Sequence, residues 1–158
     1  MKGMRRKDRE MDRDSALALF NSASWITLSM VGAEDEGAPY AIPLSFVLVG
    51  KDLFFHGAKA GYKRDCLLAD NRVCVTAVAF AETDAPAFSV AYQSIVARGR
   101  AFLVEEEGQK RKALMQLCEK YTPSEMDRFE SSWERHRLAT DIWRIELMDW
   151  SGKLRKFE

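Results

Sequence analysis

Residues 54–65 read FFHGAKAGYKRD: a strand-like run gives way to small residues and then to a helix-forming segment whose first turn carries Lys63 and Arg64. The start of a helix leaves N–H groups without partners and carries the positive end of the peptide dipole. Joined to a Lys ammonium, such a start can replace the water around a phosphate dianion. The same residues equally describe an ordinary solvated helix start, and neither a GxxxxGK[ST] nor a GxGxxG pattern decides between the two. Lys59 and Arg64 stand beside Lys63 as alternative cations. His56, at the end of the strand, reads either as a satisfied structural histidine or as a polar group facing a ligand.

Other chemistry-bearing side chains are few. His56 and His136 are the only histidines, and Cys66, Cys74 and Cys118 form neither a CxxC pair nor a ligand spacing, which argues against a metal site. All three thiols read as reduced, and Cys66 and Cys74 as small core fillers, not nucleophiles. Ser45 and Ser94 have no base partner at an interpretable spacing, so no hydrolytic triad is legible and no catalytic residue is assigned. Proteins with so thin an acid–base inventory often leave the difficult step to a cofactor.

The elements that must carry these residues follow from periodicity and punctuation. Asp12 or Asp14 can cap a helix with Ala16, Leu17, Phe20 and Ala23 on its apolar stripe, ending near Ser22. WITLSMV (25–31), the turn GAEDEGA (32–38) and the run PYAIPLSFVLV (39–49) read as a hairpin. Pro39 and Pro43 confine themselves to a strand start, an edge or a bulge. A short strand over 53–56, a helix over 62–70 and a strand over 72–81 come next, followed by a loop over 82–87. The long run 88–104 has Gly99 as a bulge or close-approach point. A helix over 105–121 breaks at Thr122-Pro123-Ser124 and restarts to about Arg137, and a last strand over 141–150 closes the domain before Ser151-Gly152-Lys153. About six strands at hairpin spacing with peripheral helices make an antiparallel barrel.

The 158 residues are 47% hydrophobic and 30% charged, enough for one core without disulfides. Lys and Arg total 24 against 24 Asp and Glu, so the chain has no bias toward nucleic acid or an anionic membrane. No apolar run approaches the roughly 20 residues of a spanning helix. Reduced thiols and a charged N-terminus point to the cytoplasm. Residues 2–13 carry six basic and three acidic side chains without apolar periodicity. They make residues 1–13 a charged arm ahead of a single domain over 14–158, either a plain polar terminus or a clasp for a partner subunit or an anion.

Taken in order, MRRKDREM (4–11), PYAIPLSFV (39–47), FFHGAKAGYKRD (54–65), NRVCVTAV (71–78), YQSIVARGRAFLVE (92–105), ALMQLCEKY (113–121) and WSGK (150–153) resemble the FMN-binding split-barrel superfamily of pyridoxamine 5′-phosphate oxidases, particularly its nitroimidazole-resistance (Nim) branch. The resemblance covers nearly the whole chain. It implies a mainly β (α+β) fold, a six-stranded antiparallel split β-barrel with peripheral helices, in a homodimer with FMN at the subunit interface. By position it implies that Pro43, Leu44 and Ser45 line the isoalloxazine through backbone groups, that His56, Gly57 and Ala58 contact the ribityl chain or ring, and that Lys63 binds the phosphate. Tyr62 occupies a position where relatives often have His or Arg, which removes one cationic contact. Ser94 falls where related oxidases turn a polar side chain to the flavin, and Trp150 where some relatives bring an aromatic from the partner subunit.

The implied activity is FMN-dependent reduction of a nitro compound or quinone-like small molecule with electrons from NAD(P)H. The alternative is a non-catalytic flavin, haem or deazaflavin binding or sensor protein of the same fold. Oxidation of pyridoxamine phosphate itself fits less well, because the C-terminal end offers no evident basic pair for a second phosphate beyond Arg144 and Lys153.

Overall fold

The computed structural model describes residues 3–34 and 36–157. Met1 and Lys2 of the arm, Asp35 in the 32–38 turn and Glu158 lie outside the described residues. In chain order the elements are α1 (Arg13–Ser22), β1 (Ile26–Val31), β2 (Pro39–Leu44), β3 (Val47–Val49), β4 (Asp52–Ala58), α2 (Tyr62–Ala69), β5 (Arg72–Asp84), β6 (Ser89–Leu103), α3 (Glu107–Tyr121), α4 (Phe129–His136) and β7 (Thr140–Arg155). Asp12 caps α1, its Oδ1 accepting from the Ser15 N–H at 2.8 Å, and the helix ends at Ser22 as its spacing predicts. Pro123 starts a 3-10 turn over Pro123–Arg128 between α3 and α4.

All seven strands join one antiparallel sheet in the order β2-β1-β5-β6-β7-β4-β3. Its two edge strands, β2 and β3, are consecutive in the chain, with only Ser45 and Phe46 between them. If the sheet were flat, those edges would stand six strand spacings apart, about 29 Å. The link from Leu44 to Val47 spans at most about 11 Å. The sheet therefore rolls up until its edges nearly meet, yet no ladder joins β2 to β3 among the described residues. That is a barrel with a split, and the split lies at Ser45–Phe46.

The strand count corrects the expectation of six, because the run 39–49 is two strands. Phe46 leaves the ladder: its N–H donates to the Tyr121 hydroxyl at 3.0 Å, and its carbonyl accepts from the same hydroxyl at 3.1 Å. Its ring, 0% exposed, packs edge-on against Phe20 at 5.7 Å and plugs the core at the split. Lys120 covers the other side, its Nζ 3.7 Å above the Phe46 ring while donating to the Ala23 carbonyl at 3.0 Å. Pro39 and Pro43 sit on an edge strand, where their missing donors cost no central ladder bond.

Three strands run longer than their sequence predicts. β4 covers Asp52–Ala58, and β5 continues through residues 82–84, which read as loop but pair with Ala91, Val90 and Ser89. β7 continues through Ser151-Gly152-Lys153 to Arg155, paired with β6 throughout. The register between β6 and β7 shifts between Arg98 and Gly99, the bulge predicted there. Gly152 is the only residue type that fits its place, since a Cβ would lie 2.5 Å from the Ala16 Cβ and 3.1 Å from the Met11 Sδ. The strand interior thus uses glycine to let α1 approach. Gly152→Ala is expected to cost about 1–3 kcal/mol by overpacking, read as a lowered thermal midpoint; an unchanged midpoint would mean that α1 yields without penalty.

Candidate functional site

The head of α2 is built as the sequence suggests. Gly61 takes φ +115°, a conformation that disfavours other residues, and has no side chain to cap the helix. The Arg64 and Asp65 N–H groups turn back to the Gly61 carbonyl, closing the first turn. Lys63 reaches across β4: a Cβ on Gly57 would lie 2.8 Å from its Nζ, so glycine there makes room for the ammonium. The Nζ stands 5.3 Å from the Phe55 ring centroid, and no carboxylate pairs with it among the described residues. Burial holds its pKa below the ordinary lysine value. A partly desolvated ammonium without a protein counter-charge is suited to an anion.

Of the two alternative cations, Arg64 is committed. Its Nε donates to Asp141 Oδ2 at 2.9 Å, and Asp141, opposite Gly57 on β7, is 2% exposed. No sequence signal singled out Asp141, which lies 77 residues away. Lys59 is exposed in the loop before α2. Tyr62 packs its ring edge-on against Tyr40 at 4.9 Å, joining α2 to the β1–β2 hairpin. Ala58 is exposed at the end of β4, opposite Thr140.

His56 and Ser45 come together in a small apolar cavity of about 300 Å³ under α3. Trp25 and Tyr121 form one wall, their rings 6.0 Å apart, and Leu114, Leu117 and Cys118 form another. Burial, helped by the positive charge of Lys63, holds the His56 pKa below the ordinary imidazole value. Pro43 is exposed on β2, whose neighbour Leu44 turns into the core. The Pro43–Ser45 segment, His56, Gly57 and Lys63 therefore cluster around the split of the barrel.

Ser94 and Trp150 do not join them within one chain. Ser94 pairs with Lys153 and His56 with Ile142, so the two lie eleven residues apart along β7. Trp150 is 7% exposed; its Nε1–H donates to the Arg13 carbonyl at 2.8 Å, and the Arg13 guanidinium lies 4.2 Å above its ring. In its own subunit it anchors the arm. A wider cleft of about 580 Å³ lies between the arm and the end of β7, among Arg6, Arg9, Arg155 and Lys156, and holds none of the predicted site residues. Arg6 and Arg155 there are already paired, with Asp8 and Asp84.

Among the described residues, no group of three or more His, Cys, Asp or Glu is placed to hold a metal ion. No helix among the described residues is long and apolar enough to cross a membrane.

A family model described as pyridoxamine 5′-phosphate oxidase matches residues 12–154. No curated protein matches the chain. Among solved structures, the FAD and haem binding protein from Mycobacterium smegmatis superposes with a TM-score of 0.77 at 22% identity, covering 94% of this chain and 74% of that one. A candidate 5-nitroimidazole antibiotic resistance protein from Bacteroides thetaiotaomicron gives 0.74 at 20% identity, covering 91% and 85%. An FAD-binding protein from Mesorhizobium loti gives 0.69 at 18% identity, covering 94% and 98%. At these identities the three structures share the fold.

Proposed function

The chain belongs to the pyridoxamine 5′-phosphate oxidase family, and on that premise we propose that it is an FMN-binding oxidoreductase whose flavin lies along the split of the barrel. The observation that carries this reading is Lys63, a half-buried ammonium without a protein counter-charge, set over Gly57 at the uncapped head of α2. Lys63 and the first turn of α2 would hold the phosphate. As an edge strand, β2 has backbone groups with no strand partner on one side, free to meet the ring along Pro43–Ser45. His56, Gly57 and Ala58 line the path between the two. A flavin held there would supply the two-electron chemistry by which NAD(P)H reduces a small nitro compound or quinone. The protein's own part is to bind, orient and exclude water.

The visible spectrum of the purified protein tests this first. The two-band spectrum of oxidised flavin supports it, and release of the chromophore identifies FMN against FAD, riboflavin or a deazaflavin. A strong Soret band would favour haem, and a flavin that NADH and NADPH both fail to reduce would favour a binding or sensor role.

The functional unit is a homodimer. The outward face of the β5–β6 ladder exposes Val78 (61%), Val90 and Val96, and Ser94 shares that face opposite Val78. A second copy that covers this patch brings its Ser94 toward an interfacial site. Light scattering at micromolar protein is expected to give the dimer mass; a monomer with flavin still bound would overturn the interfacial arrangement.

A further inference from the structure

Resting on that functional reading, we propose that the cavity beneath α3, behind the Ser45–His56 wall, is the berth of the molecule to be reduced, and that it selects neutral, planar aromatic compounds of one or two rings. The cavity, about 300 Å³, is at the small end of ligand pockets, roughly 300–1,000 Å³. Its walls are an exposed indole (Trp25, 60% exposed), the Tyr121 ring and the side chains of Leu114 and Leu117. A ring laid between the Trp25–Tyr121 wall and the two leucines meets aromatic surface on one side and aliphatic surface on the other.

Few of its polar groups are free to bind a ligand. The Tyr121 hydroxyl is spent on the Ser24 carbonyl at 2.7 Å and on Phe46, and the Thr122 hydroxyl donates to the Cys118 carbonyl at 3.1 Å. The Ser45 hydroxyl and the His56 ring make no hydrogen bond among the described residues, which leaves one hydroxyl and one imidazole to meet a carbonyl or nitro oxygen. Among the described residues, no carboxylate, Lys or Arg lines the cavity. The groups that could ionise there are held neutral: burial pushes the Cys118 thiol and the Tyr121 phenol up, while burial and Lys63 push the His56 imidazole down. With Lys63 taken up by the flavin phosphate, a charged ligand buried among them would have no counter-ion on the cavity wall.

The test titrates menadione, a neutral naphthoquinone, into the purified full chain by calorimetry, alongside sodium 1,4-naphthoquinone-2-sulfonate. Trp25→Ala removes one wall at an exposed position, and Cys118→Phe fills the cavity. Menadione affinity is expected to fall about tenfold or more in each variant with flavin content unchanged, and the sulfonate to bind the parent at least tenfold more weakly. Menadione that fails to bind the parent, or binds Trp25→Ala equally well, overturns the assignment. So does a variant that loses flavin and menadione together, because the cavity would then be part of the flavin's own site. These results leave the flavoprotein reading standing. A parent with no flavin spectrum overturns both.

Discussion

Lys63→Ala is expected to weaken FMN binding about ten- to a hundredfold and to leave riboflavin binding unchanged. A charge-assisted hydrogen bond to phosphate contributes roughly 1.5–3 kcal/mol, and riboflavin lacks the phosphate that receives it. The effect should also depend on pH with a definite sign. Burial holds the Lys63 pKa below the ordinary value in the free protein, and a phosphate partner raises it in the complex. The lysine's contribution to affinity is therefore complete below the free-protein pKa and lost as pH rises through the pKa of the complex. The phosphate is already almost fully ionised across that range. Fluorescence titrations of both flavins from neutral to alkaline pH read this directly. Equal weakening for FMN and riboflavin would mean damage to the strand–helix junction. Unchanged FMN affinity would transfer the phosphate to Lys59, since Arg64 is spent on Asp141.

What the sequence conveyed and what it withheld divide by distance along the chain. The strand, small-residue loop and helix start around Lys63 are local, and so were legible, as were the Asp12 cap and the Gly99 bulge. The split of β2 from β3 was not, because the group that draws Phe46 out of the ladder is a tyrosine hydroxyl 75 residues downstream. Residues 82–84 have turn-like composition and become strand only because β6 pairs with them. Gly152 reads as a turn residue until α1 is packed against it. Ser45 meets His56 through the β3–β4 hairpin, whose register continued past Val47↔Phe54 sets the two opposite each other, whereas the α3 side chains that cover them come from outside both motifs. The resemblance gave Trp150 to the partner subunit but did not indicate that Ser94, opposite Lys153, stands eleven residues of β7 away from His56, opposite Ile142, within one chain.

Asp141 shows the same separation with the larger consequence for stability. Its carboxylate is almost entirely buried and faces Arg64, whose side chain is 28% exposed, so the pair ties the first turn of α2 to the start of β7. Removing one partner of such a pair strands the other charge, at a cost of about 3–5 kcal/mol when both are fully buried. Because Arg64 keeps some contact with water, Asp141→Asn is expected to cost roughly 2–4 kcal/mol, a fall in the thermal midpoint of about 5–12 °C for a chain of this size. The double change Arg64→Met with Asp141→Leu should recover much of that loss, because no charge is then left unpaired. The two variants should also separate stability from binding. If the ion pair serves to aim Lys63 at Gly57, the double variant regains its melting temperature while FMN affinity, but not riboflavin affinity, stays below that of the parent. Recovery of both would make the pair purely a fastening between α2 and β7, and the direction of Lys63 would then be set by Gly57 and Gly61 alone.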